Sequence, residues 1–249
     1  MKKIVAVVVL SVLLIANGFG ITSSSTVWAA SSDVRVILNG QVLNADPYSP
    51  YPNGSTVMIP LRESSIALKY KVAYQKSSDT ITLSGVKQKI EYKVGDDHIT
   101  INDKEKRDFK DDVVFKKEHL YVPLSFFTSL GLLTAYDADA NLAEIYTPEV
   151  IANAIAGLLT TGQFQVLEDR FFSEELKRSI SGTGLQQNWE ELSVQAGNYH
   201  GVKATESNQK VDQFSIQCVL SFAQADASLE IILNKSGKII DLREKLLLK

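Results

Sequence analysis

The chain has 249 residues, 45% of them hydrophobic and 22% charged, with a formal net charge of −3. That composition supports one or two packed cores and excludes disordered, collagen-like and coiled-coil chains. The charge argues against the basic stripe that a nucleic-acid-binding surface needs. One cysteine, Cys218, rules out an intrachain disulfide framework and a CxxC-type zinc site, and the three histidines (His98, His119, His200) are too scattered to suggest a metal cluster. No cofactor is expected.

The chain opens Met1-Lys2-Lys3, runs apolar from Ile4 to Ile15 except for Ser11, and reaches Val27-Trp28-Ala29 through a serine-threonine stretch. A basic start, a short apolar run and small residues before a cut describe a secretory signal peptide over residues 1–29, cleaved after Ala29. Cleavage after Ala30 would place bulky Trp28 at the minus-three position. The competing reading is a retained anchor. It would have to include Asn17, Gly18 and Gly20 and would sit at the lower edge of spanning length. Cleavage removes two lysines and no acid, leaving an acidic exported chain with no membrane span.

An internal repeat follows. The segment IPLRESSIALKYKVAY (residues 59–74) is echoed by VPLSFFTSLGLLTAY (residues 122–136), one residue shorter. In each copy a short strand (Thr56 to Ile59; Leu120 to Val122) meets Pro60 or Pro123, which opens a helix. After Tyr74 or Tyr136 come a polar turn and another strand (Thr80 to Leu83; Ala143 to Tyr146). Upstream of the first copy, Asn39-Gly40 joins two strand segments as a type I′ turn would, and Asn102-Asp103 is a weaker version upstream of the second. The run at residues 104–119 holds six bases against five acids. It reads as a solvated hairpin, not a polyanion site.

The hairpin at Asn39-Gly40, the Ile59-Pro60-Leu61-Arg62 box and the Val122-Pro123-Leu124 box make residues 33–147 resemble the stalk-type domain of secreted bacterial proteins, the copper amine oxidase N-terminal-like domain. Ser125 stands where that family's arginine is expected, and Lys69 where it usually has glycine. The resemblance implies an extracellular, non-catalytic module attached to surface-associated functions. Copper in those oxidases belongs to another domain, and no set of several imidazoles is supplied here.

Thr147-Pro148-Glu149 marks a boundary, with Thr147 as N-cap, Pro148 at the first helical position and Glu149 at the positive end of the dipole. Ile151, Ile155, Leu158 and Leu159 share a helix face that stops at Gly162, and Phe164, Leu167 and Phe171 repeat the pattern. Ser173 starts a further helix, and beyond a Gly182/Gly184 loop Leu185, Trp189, Leu192 and Ala196 line another before Gly197. Then the period changes to two: Phe214, Ile216, Cys218, Leu220 and Phe222 alternate with polar residues, and a turn at Asn234 to Gly237 joins the last two strands. The expected class is therefore α+β: a duplicated hairpin/helix module, then helices packed on an antiparallel sheet. Through its early helix, Trp189-x-x-Leu192, Gly197-x-Tyr199 and the closing strand after Gly237, residues 149–249 resemble a small bacterial domain of unknown function with a ketosteroid-isomerase-like cone, which by itself implies no chemistry.

Cys218 lies on an apolar stripe and is expected to be core rather than a nucleophile served by His200. Asp212, Asp226, Glu230 and Asp241 are expected to be solvated carboxylates. Trp189 and Tyr199 are possible contacts for a pocket ligand, although the helical spacing of Trp189 with Leu185 and Leu192 favours the core. The loop Asp46 to Gly54 carries three prolines that restrict it, so Tyr48 and Tyr51 are possible contacts on a presented aromatic surface; the plainer alternative is a connector lying over its own domain. The function expected is an exported, non-catalytic binding or adaptor protein of the bacterial cell envelope, with a cell-wall or envelope component as partner. Alternatives are an enzyme or small-ligand carrier using a pocket in the second domain, and a plain spacer.

Overall fold

The computed structural model describes residues 34–86, 88–116, 118–180, 182–210 and 213–247. The expected signal segment and Asp212 therefore lie outside the described residues. Contacts divide the described chain into two compact units, one ending at Ile145 and the other beginning at Tyr146. The whole is α+β.

The first unit opens with β1 (Arg35–Leu38) and β2 (Gln41–Val42). Asn39 and Gly40 both take positive φ, 51° and 83°, as the type I′ turn requires. Next come β3 (Tyr51–Asn53), β4 (Thr56–Pro60), α1 (Leu61–Ala67), β5 (Lys71–Gln75) and β6 (Thr80–Ser84). They are followed by β7 (Lys89–Lys93), β8 (His98–Ile101) and β9 (Glu105–Asp108). The second copy supplies β10 (Val114–Lys116), β11 (His119–Pro123), α2 (Leu124–Ser129), β12 (Leu133–Asp137) and β13 (Leu142–Tyr146).

The repeat is built into the pairing. β4 and β11 lie side by side antiparallel with Ile59 opposite Val122, Pro60 opposite Tyr121 and Met58 opposite Pro123. Equivalent residues face each other, so the copies are related by a local two-fold through the Ile59–Val122 pair. Pro60 and Pro123 sit one position earlier than a first helical residue: each is the last strand residue and the extended N-cap of the helix that follows. A proline tolerates that place because a strand end spares it one ladder donor.

The copies also exchange hairpins. The β1–β2 hairpin upstream of copy one joins β12–β13 of copy two, through a parallel pairing of β1 with β13. Strands β7 to β9, upstream of copy two, extend β5–β6 of copy one. Neither copy can close its sheet alone, which explains why one core serves both, with Val36, Ile59, Ile81, Ile99, Val122, Phe126 and Ile145 buried in it.

At the end of each helix the chain turns through the left-handed region, at Gly131 with φ 84° and at Lys69 with φ 66°. Glycine bears that conformation freely, whereas a lysine Cβ crowds the following carbonyl. Lys69→Gly is therefore expected to stabilise the first unit by up to about 1 kcal/mol after the added chain entropy of glycine is subtracted. The urea midpoint, at unchanged slope, measures it.

The second unit begins with α3 (Pro148–Thr160), whose N-cap position is held by Thr147 in extended backbone without a side-chain cap. Gly162 ends it at φ 70°. α4 (Phe164–Phe171) and α5 (Glu174–Ser179) follow, and Ser173 caps α5 by accepting from the Leu176 N–H at 3.2 Å. α6 (Gly182–Ala196) starts at Gly182, so the expected glycine loop is the first turn of a helix. The meander β14 (Tyr199–Gln209), β15 (Gln213–Phe222), β16 (Ala227–Asn234) and β17 (Ile239–Leu246) forms a four-stranded antiparallel sheet in chain order. One face of β15 and β16 is fully apolar, from Phe214 to Phe222 and from Ala227 to Leu233, and it is buried.

Candidate functional site

The feature of the first unit with recognisable binding chemistry is a row of aromatic rings on the outer face of the β10-β11-β4-β3 sheet. Register places it there. Lys116 lies opposite His119, Val114 opposite Tyr121, Tyr121 opposite Pro60, and Met58 opposite Tyr51. Because successive side chains alternate, these residues share one face while Val122, Ile59 and Val57 point into the core. The proline-rich loop then lies across that face. Tyr48 stacks on His119 with ring centroids 3.3 Å apart and planes 28° apart, and Tyr51 tilts against Tyr121 at 5.2 Å. The Lys116 ammonium sits over the Tyr51 ring, 4.2 Å from its centroid. Tyr51 to Asn53 pair with β4 as an edge strand. The loop is thus both a cover and a surface: Tyr121 beneath it is buried, while Tyr48 and Tyr51 remain half-buried with edges in solvent.

Burial pushes the phenol pKa values of Tyr51 and Tyr121 above their ordinary range, and for Tyr121 the neighbouring Tyr51, Glu63 and Tyr48 add to the rise. Glu63 belongs to the first turn of α1, directly after Pro60, the register partner of Tyr121. Its Oε2 is shut away from solvent and accepts no hydrogen bond. Sequence reasoning found Tyr48 and Tyr51 from the prolines around them. It missed His119, Tyr121, Lys116 and Glu63, although alternation of Val114 with Lys116 and of His119 with Tyr121 carried a signal.

In the second unit the other named residues separate. Trp189 is only 5% exposed and packs on Phe222 at 6.0 Å, with Tyr199 edge-on to the same ring at 5.4 Å. Trp189 is therefore part of the core, while Tyr199 is half-buried at its margin. Of the carboxylates, Asp226 pairs with Lys203 at 2.7 Å, and Arg243 bridges Asp241 and Glu230. The inward face of the sheet is filled by Phe214, Ile216, Cys218, Leu220, Leu229 and Ile231. One ionisable side chain intrudes beside it: Glu244, whose pKa is raised by desolvation and held back by hydrogen bonds to its own backbone and to Asn188. A shallow groove of about 410 Å³, lined by Ala204, Glu206, Gln217, Val219, Glu230 and Leu247 among others, opens on the sheet.

Cys218 is buried, its Sγ donates to the Leu229 carbonyl at 3.2 Å, and desolvation pushes its pKa up to about 12. A thiol in that state is scarcely ionised at neutral pH. Labelling of native protein by a thiol reagent is expected to run only as fast as the sheet opens. Instant stoichiometric labelling at pH 7 would contradict this placement.

No group of three or more His, Cys, Asp or Glu among the described residues is placed to hold a metal ion. His98 pairs with Asp97 at 2.9 Å, and His119 stacks on Tyr48. No curated protein matches the chain. Residues 37–145 match the family described as copper amine oxidase N-terminal domain, and residues 152–242 match a family described as protein of unknown function, DUF3887. The first unit is thus similar over residues 37–145 to a copper amine oxidase N-terminal domain, and the second is similar over residues 152–242 to the DUF3887 family.

Proposed function

We propose that this protein is exported and acts without catalysis as a binding or adaptor protein of the bacterial cell envelope, through the aromatic face of its first unit. The observation that carries the reading is the stack of Tyr48 and Tyr51 on His119 and Tyr121, held half in solvent by a proline-stiffened loop. Rings fixed in this way present broad contact area at little entropic cost. Neither matched family's description names a catalytic activity, and no helix among the described residues is long and apolar enough to cross a membrane. The packed inward face of the second unit's sheet supports the non-catalytic reading over a pocket enzyme. Export rests on the sequence of residues 1–29, and N-terminal sequencing of the secreted product is expected to begin at Ala30. The binding reading is tested by sedimenting the mature chain with purified cell-wall material: saturable co-sedimentation is expected, and protein left wholly in the supernatant would contradict it.

A further inference from the structure

We propose that Asn53 is a site of spontaneous deamidation, which turns its amide into a carboxylate on the ring face of the first unit. The reaction needs water and no enzyme, and it does not depend on what that face binds. The Gly54 backbone nitrogen attacks Cγ of Asn53 and gives up its proton, and ammonia leaves as the Cγ–Nδ2 bond breaks. Water then hydrolyses the five-membered imide so formed. Opening at Cγ gives aspartate, and opening at the main-chain carbonyl gives isoaspartate, with the chain rerouted through Cβ and Cγ. No electrons are transferred.

The β3–β4 turn presents what this chemistry requires. Asn53 pairs with Thr56, so Gly54 and Ser55 form a two-residue loop, and Gly54 takes φ 61° at its first position, as in a type II′ turn. A glycine there leaves the attacking nitrogen unshielded by a side chain, and nothing stands within 4 Å of the space that a Cβ would fill. Asn53, Gly54 and Ser55 are all exposed. Among the described residues, neither the Asn53 side-chain amide nor the Gly54 N–H makes a hydrogen bond. β3 is a three-residue strand at the edge of its sheet, so the turn can open without disturbing the core.

Asn39-Gly40 shares the dipeptide but not this freedom. Asn39 is half-buried, and its N–H donates to the Ile145 carbonyl at 2.9 Å. Asn102 is followed by an aspartate, and its Oδ1 accepts from the Lys89 N–H at 2.9 Å. The charge gained at Asn53 lies two residues from Tyr51 on the same face of β3, the face that carries the Lys116 ammonium.

The test holds the full mature chain, folded, in mildly alkaline buffer and maps digested samples by mass spectrometry. A gain of one mass unit is expected in the peptide spanning residues 53–54, divided between aspartate and isoaspartate forms. It should run at least about tenfold faster than conversion of Asn39, which must wait for local opening. In guanidinium chloride that difference should collapse, because both sites are then the same dipeptide in an open chain. Asn53→Gln, with the melting temperature of the parent, should lose the acidic species that isoelectric focusing resolves in the aged parent, since glutamine would have to close a six-membered ring. Conversion of Asn39 in the folded chain as fast as Asn53 would overturn the assignment. So would an Asn53 that stays intact while the unfolded chain converts, or the same acidic species in the variant.

Discussion

Replacing Phe126 by alanine is expected to cost the first unit about 3–5 kcal/mol, the usual range for truncating a buried aromatic ring. Phe126 is fully buried on α2, where its ring meets Phe109 at 5.4 Å, Phe127 at 5.8 Å and Tyr92 at 6.2 Å. These partners come from both halves of the exchanged repeat: Tyr92 from β7, Phe109 from the segment after β9, and Phe127 from α2 itself. The void therefore opens where the two copies share one core, and neither can collapse into it independently. Chemical unfolding followed by tyrosine fluorescence and circular dichroism should show an early transition moving to lower denaturant. A loss under about 1 kcal/mol would mean that the ring does not tie the copies together.

Trp189→Ala is the counterpart for the second unit, with an expected loss of about 3 kcal/mol or more. Trp189 projects from α6 onto Phe222 of β15, joining the helical layer to the sheet. This substitution separates two roles that the sequence left open. A ring that mainly contacts ligand would cost little stability when removed, whereas a core ring costs several kcal/mol whether or not ligand is present. If the two units also fold separately, as we propose from their distinct patterns on either side of Thr147-Pro148, each substitution should move one transition and leave the other in place. Coincident shifts in both would show a shared cooperative unit.

Local signals were legible in the sequence, and pairings were not. Asn39-Gly40 announced its turn because few residues other than Asn, Asp and Gly accept consecutive positive φ values. The alternation from Phe214 to Phe222 announced β15 because one face had to be buried. By contrast, β14 is an edge strand, rich in polar residues and with register shifts at Tyr199/Gly201 and Val202/Ala204, so its period is blurred. β7 went unread although Ile90 and Tyr92 alternate, because a five-residue strand bounded by lysines resembles a solvated linker. The repeat was visible as similar words. The exchange of hairpins was not, since it depends on register between segments some hundred residues apart.

The same division holds at the site. Tyr48 and Tyr51 stood out because prolines restrict the loop that carries them. Their companions were hidden because His119 and Tyr121 reach them only through the β11–β4–β3 register, and Glu63 only through the helix that follows Pro60. A surface assembled by strand order cannot be read from spacing along the chain.

The central claim is that the aromatic face of the first unit is the binding surface, and the double variant Tyr48→Ala/Tyr51→Ala tests it most directly. Both rings keep one edge in solvent, so their loss should leave a folded chain, checked by a retained cooperative melt. The account predicts that this variant, folded, stays in the supernatant with purified cell wall under conditions in which the parent chain sediments. Wall binding equal to that of the parent would contradict it.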